Sequence, residues 1–407
     1  MKIIKSLFIK LIILKSILEI SIGIFVNPKI SLINNIISSN KNDVLYNLSY
    51  TSLVLGVMSL IILFMLKHSR DYWINISLIF IILSSIILLD RIILAKVGLP
   101  LWEYDAELHY RHRPNKNAIW QNGKRIQINA KGNHDIDRNA KKERDEYRIF
   151  NIGDSIVMGH EVERTETFSF LLNGIKLTKD SLIINSYNLG VQGYSTFQNR
   201  IVLLRNLNLM PDHIMLGICL NDFTEPYVVN KKYGGSGIDY HQVVDIENYL
   251  VQYFYNETGF GRLIQKQRFS ETLRKMKRVD ELTAVEDFVN NITRPEYKNR
   301  LTDFSQEIKM INDICIDKNI KLSVVIFPYT FQFFNRVRNS PQYEIKRILK
   351  SLDIEFLDLL DELNVYAQDN KVSVDDIIRI NYLDEDHFTV KGHKLVANII
   401  CNRLLDN

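Results

Sequence analysis

The stretch "RIFNIGDSIVMG", Arg148 to Gly159, sets a serine directly after an apolar run and between two glycines. If Tyr147 to Ile152 is a buried strand, Ser155 stands at its carboxyl end. Everything downstream then decides whether that strand belongs to a sheet and whether the serine has chemical company. "SLIINSYNL" (181–189), "DHIMLGICL" (212–220), "KLSVVIF" (321–327) and "DIEFLDL" (353–359) repeat the short apolar pattern. Between them lie helical patterns at about 167–173, at 197–207, in a long helix ending near Lys318, and in a final amphipathic stretch from Val390 to Leu404. Apolar strands alternating with helices imply an α/β fold with a parallel sheet covered by helices on both faces. Ligands of such sheets bind beyond the carboxyl ends of the strands, which is where Ser155 falls.

Outward from this core, composition excludes more than it selects. The 407 residues leave room for one large domain plus attachments. A net charge of +4 with scattered basic residues carries no nucleic-acid signature. Cys219, Cys315 and Cys401 are far apart and odd in number, without CxxC spacing, so neither a disulfide framework nor a zinc site is expected. Cys219 and Cys401 sit in apolar runs and read as buried free thiols.

The amino end reads differently. Leu48 to Leu66 is uncharged and long enough to span a bilayer, and Trp73 to Leu89 is a second such run, closed by Asp90 and Arg91. Leu7 to Val26 is apolar but holds Lys10, Lys15 and Glu19; the last two are four apart and can pair on one helix face. A signal peptide or an amphipathic surface helix is the alternative for this segment, although "SIGIFVNP" offers no small-x-small cleavage site. The expectation is three transmembrane helices in a multi-pass anchor at 1–96, with the lipid bilayer as a partner. The basic flanks of Lys2, Lys5, Lys10, Lys67 and Arg70 then place everything after Lys96 outside the cytoplasm. A polar, extended lead-in at 97–146 follows, then the α/β domain at 147–407 interrupted by an insertion at about 225–299. Within that insertion "YGGSG" lacks the Gly-Lys-Ser/Thr of a phosphate loop. Arg262 to Arg278 holds seven basic residues against the single acid Glu271, and reads as a solvated face or as a lid touching anionic lipid or glycan.

A serine hydroxyl needs a base to become a nucleophile. "NYLDEDHFTVKGH" offers His387, with Asp384 three residues earlier to orient the ring and stabilise the imidazolium. Oxyanion donors follow the other strands: the Gly193 N–H in "NLGVQG", the Asn221 side-chain amide in "CLND", and the N–H of Ser155 itself. His393 falls on the closing helix and reads as structural, and His160 as a surface residue. Asp384, Asp386 and His387 could be read as metal ligands, but no second His or Cys cluster supports them, so neither metal nor cofactor is expected. A Gly-x-Ser-x-Gly elbow is ruled out by Val157.

Taken in order, "GDSIVMG" (Ser155), "NLGVQG" (Gly193), "CLND" (Asn221) and "DEDH" (Asp384, His387) resemble the four blocks of the SGNH hydrolases, or GDSL-type esterases, over roughly 148–404. The lead-in, with "HRPN" and "INAKG", resembles that of membrane-attached bacterial members. The resemblance implies a flavodoxin-like sheet, a shallow, solvent-open site and metal-free ester chemistry. It also implies a Ser155–His387–Asp384 triad acting on acyl esters, O-acetyl groups of an envelope glycan first among them. Ile156 stands where the family has leucine, and Cys219 where it usually has glycine. An O-acyltransferase with the same serine, a phospholipase and a non-catalytic glycan-binding module are the rivals. "YFYNETGF" (253–260) could stack on sugars or pack in the core.

Overall fold

The computed structural model describes residues 2–25, 42–67, 72–120, 122–179, 181–224, 237–238, 244–245, 249–268, 271–334 and 340–405. Helices α1 (Lys2–Phe25), α2 (Asn42–Lys67) and α3 (Tyr72–Val97) come first. Two antiparallel hairpins follow, β1 (Trp102–Asp105) with β2 (His109–His112) and β3 (Asn117–Ile119) with β4 (Arg125–Gln127). The alternating part runs through β5 (Glu146–Ile152), α4 (Ser155–Met158), α5 (Phe168–Leu171), β6 (Ile183–Asn188), α6 (Thr196–Asn206) and β7 (His213–Ile218). A short pair, β8 (Gly237–Ile238) and β9 (Val244–Asp245), leads to helices α7 (Tyr249–Glu257), α8 (Gly259–Arg268), α9 (Glu271–Asn290) and α10 (Pro295–Asp317). The chain closes with β10 (Lys321–Ile326), α11 (Ser340–Ser351), β11 (Glu355–Asp358), α12 (Leu359–Asp369), α13 (Val374–Asn381) and α14 (Val390–Ile400).

These elements divide into two compact units, one of residues 1–100 with 237–271, the other of 101–236 with 272–407. In the first, α1 packs on α2 and α2 on α3. Lys15 and Glu19 form the expected i,i+4 pair, with Glu19 fully buried and also accepting the Ser59 hydroxyl at 3.1 Å. The apolar run of α3 is broken by Asp90, whose carboxylate accepts the Phe260 N–H at 2.9 Å, and by Arg91 and Lys96 beyond it. Among the described residues no helix is long and apolar enough to cross a membrane. That finding overturns the expected three-span anchor and the placement of the following domain outside the cytoplasm that was read from it, and it leaves the expected bilayer partner without a spanning helix. The charges that fall on α1 and at the close of the α3 run are met within the protein, Lys15 and Glu19 by each other and by Ser59 of α2, and Asp90 by the start of α8. "YFYNETGF" runs from α7 into α8 in this unit.

The second unit is built on a five-stranded parallel sheet in the order β11-β10-β7-β5-β6. Numbered within the sheet this is the flavodoxin-like order 2-1-3-4-5 read from the β6 edge. All six residues of β7 are buried, as only a strand covered on both faces can be. α6 packs on α10 and α5 on α14. The chain leaves β5 toward β6 on one side, and β7 flanks β5 on the other, so the strand order reverses at the carboxyl end of β5. Asn151 fills the polar space there, donating to the Ser169 and Ser186 hydroxyls at 2.9 and 2.8 Å. The lead-in is folded onto this core: the Tyr110 hydroxyl donates to the Gln192 carbonyl at 2.8 Å, and Gln198 donates to Leu108 at 2.8 Å.

Candidate active site

The sharp turn after β5 follows from its residues. Asp154 caps α4, its Oδ1 accepting the Ile156 N–H at 2.9 Å, and Gly159 closes the single turn in the left-handed region at φ 88°. Four residues of helix hold Ser155 at the sheet's switch point. The loop after β6 crosses immediately beside it. A Cβ on Gly190 would stand 2.4 Å from the Met158 nitrogen, so only glycine permits that approach. The Val191 N–H donates to the Gly153 carbonyl at 3.0 Å and ties this loop to the serine turn.

His387 is delivered from the far end of the sequence by the loop between α13 and α14. Leu383 N–H bonds the His387 carbonyl at 2.8 Å, and Tyr382 bridges to Phe388. Asp384 Oδ1 accepts the backbone N–H groups of Asp386 and His387 at 3.1 and 2.9 Å, which winds the loop tightly enough for a residue three positions back to reach the ring. His387 Nδ1 lies 2.8 Å from Asp384 Oδ2, and His387 Nε2 lies 2.8 Å from Ser155 Oγ. The structure thus brings the three sequence-designated residues into one hydrogen-bonded line. His393 is buried on α14, its Nδ1 accepting the Phe168 N–H at 3.3 Å, in keeping with a structural part.

The oxyanion candidates are placed less simply. Asn221 follows β7 in a short 3-10 turn, buried, and its Nδ2 donates to Asp154 Oδ2 at 3.3 Å. An amide nitrogen carries a second hydrogen, which leaves one donor for a ligand. Gly193 lies in the loop after β6 with φ 73°, a conformation that favours glycine. Cys219 is buried just ahead of Asn221, and burial pushes its thiol well above the ordinary range.

Several participants carry no sequence signal that would have marked them. His160, expected at the surface, lies on the face of His387 with ring centroids 4.3 Å apart, and Trp120 from the lead-in meets it edge-on at 4.5 Å. Burial, then the His387 charge, hold His160 well below the ordinary imidazole range, so it faces His387 as a neutral ring. Ser155 is left 4% exposed and His387 6%, a more closed site than the resemblance implies. The second unexpected residue is Arg278, the last of the basic run. Its Nη2 donates to Asp386 Oδ1, and its Nη1 to Glu281 at 2.6 Å. Elsewhere in that run Arg262 is buried, while the side chains of 267–277 lie outside the described residues, as do most of "YGGSG".

Electrostatics follow from this crowding. Burial lowers the proton affinity of His387, but the charge of Asp386 and the hydrogen bond and charge of Asp384 outweigh it, and the imidazole is raised above its ordinary value. Burial raises Asp384, yet its bonds to His387 prevail and hold the carboxyl far below the usual range. Asp154 is pushed up to about 6, chiefly by burial. Asp384, Asp386 and His387 bring ligand-type atoms within 4.8 Å of one another, but a cation there would have to displace the guanidinium that already holds Asp386.

No family model matches the chain, and no curated protein does. Solved structures of similar shape include an acetylxylan esterase from Geobacillus stearothermophilus, 10% identical over 64% of this chain and 95% of that one, with a TM-score of 0.36. A psychrotrophic esterase from Pseudoalteromonas sp. is 11% identical over 63% and 95%, with a TM-score of 0.32. A GDSL-like lipase from Bacteroides thetaiotaomicron is 14% identical over 65% and 90%, with a TM-score of 0.31. At these identities and scores the likeness carries no chemistry over to this chain.

Proposed function

We propose that this chain is a serine ester hydrolase. The observation that supports it most is the unbroken line from Ser155 Oγ through both nitrogens of His387 to Asp384, each step 2.8 Å. Ser155 Oγ attacks the ester carbonyl carbon while His387 Nε2 takes the hydroxyl proton. Asp384 keeps the Nδ1–H tautomer and stabilises the imidazolium. The proton then passes to the departing alkoxide, leaving an acyl-serine. Water attacks that ester, His387 again takes the proton, and the acid leaves as Ser155 is regenerated. The Ser155 N–H, Gly193 N–H and the spare Asn221 hydrogen are assigned to the oxyanion, where each donor is typically worth ~3–4 kcal/mol. O-acetyl esters on a carbohydrate are the substrate class proposed for this site.

The test is turnover of a chromogenic acetyl ester by the full chain and by Ser155→Ala, His387→Ala and Asp384→Asn. Expected losses in kcat are of order 10⁴-fold or more for each. Wild-type turnover that survives Ser155→Ala would overturn the assignment. A burst that becomes turnover only when a polysaccharide is added would make water the wrong acceptor and the chain a transferase.

A further inference from the structure

His387 Nδ1 carries one hydrogen, and two carboxylates converge on it. Asp384 Oδ2 lies 2.8 Å away and Asp386 Oδ1 3.4 Å. The Asp386 side chain is 1% exposed, and its Oδ2 has no hydrogen-bond partner. A buried carboxylate in that position either finds a cation or turns to the nearest donor, which is the imidazole. The cation comes from Arg278 on α9, 108 positions earlier in the chain than Asp386. Its Nη2 sits on Asp386 Oδ1, 3.4 Å from Glu385 Oε2 and 3.7 Å from Asp384 Oδ2, and Glu281 holds the other arm.

We propose that Arg278 is a positioning residue that reserves the His387 Nδ1–H for Asp384 and offsets the second carboxylate, thereby setting the pH at which His387 becomes a base. The proposal rests on the hydrolase reading. Charged and titratable groups reach this cluster from every side. Glu281 comes from α9, Asp154 from the serine turn, His160 from the loop after α4, and Tyr329 from the loop after β10, while Tyr382 and Cys219 also face Asp386. Beside these groups Arg278 is, among the described residues, the permanent positive charge that contacts the cluster. Removing it leaves Asp386 to pull the proton onto His387, so the acid limb of the rate profile moves upward.

The experiment is the rate of covalent labelling by a fluorophosphonate against pH, on the full chain. Serine oxygen bonds to phosphorus, fluoride leaves, and His387 takes the proton, so the rate follows the free base. Arg278→Gln is expected to shift the acid limb up by about one pH unit, slowing labelling about tenfold below the limb, with the alkaline plateau within about threefold of wild type. Arg278→Lys, which keeps the charge, is expected to hold the limb near wild type, and Arg278→Gln with Asp386→Asn to restore it. An unshifted limb in Arg278→Gln, or a shift that persists in the double variant, overturns the proposal. Labelling of the wild type that is absent, or that survives Ser155→Ala, overturns the hydrolase reading beneath it.

Discussion

Asn221 has one amide hydrogen on Asp154 and another free for a ligand, so its two possible services separate on measurement. As an oxyanion donor it affects the transition state alone. Asn221→Ala is then expected to lower kcat by about 10²–10³-fold with KM little changed. If kcat holds while Tm falls, the amide only braces the serine turn. The same scale explains what was readable in advance. Ser155, Asp384 and His387 stood out because nucleophilic chemistry demands those residue types, and because Asp384 reaches His387 through local backbone winding alone. His160 gave no such sign, since a histidine five positions after a serine is commonplace and its ring meets His387 only after 227 further residues have folded back.

At the level of elements, the site depends on two loops passing closely, one carrying Ser155 and the other Gly193. Their fit is backbone against backbone. A Cβ at position 190 would stand 2.4 Å from the Met158 nitrogen and 2.8 Å from the Val157 carbonyl carbon, atoms that cannot swing away as a side chain could. Gly190→Ala is expected to cost roughly 2–4 kcal/mol of stability and to lower kcat as α4 moves. Thermal unfolding beside an activity assay checks both; an unchanged Tm would mean the loop has slack that this packing does not show. The five strands were legible to within about two residues at most ends, because a buried parallel strand announces itself as a short continuous apolar run. The amino-terminal helices were legible as helices but not as to what surrounds them. Residue periodicity does not reveal that Ser59 and Lys15 would share Glu19, or that Asp90 would receive the start of α8.

Across the whole molecule, stability responds to pH through buried imidazoles as well as through the site. His213 opens β7 fully buried, with Nε2 2.8 Å from Ser323 Oγ, and burial holds its pKa at about 3. The unfolded chain binds a proton at about 6.5 and the folded one does not, so this histidine's contribution is full above about 6.5 and is lost as pH falls toward 3. Buried acids such as Glu281, raised to about 7, act in the opposite direction, so the total slope mixes both. A difference measurement isolates the histidine. Relative to His213→Gln, the wild type is expected to lose about 1.4 kcal/mol per pH unit between pH 6 and 4.5. Equal slopes for the two proteins, measured by denaturant unfolding, would mean His213 is protonated in the fold.

By itself the sequence determined the alternation of strands and helices, the strand end on which the serine stands, and the pairing of Asp384 with His387 within one short loop. Each of these is a property of neighbours along the chain, expressed through hydrophobic period, turn chemistry and residue type. Only the tertiary structure decided that Arg278 neutralises Asp386, that His160, backed by Trp120, covers His387, and that Glu19 is met by the neighbouring helix. Those pairings join elements far apart in sequence, and which of several available partners a buried charge or ring meets is set by how the elements pack, not by any spacing a linear reading can count.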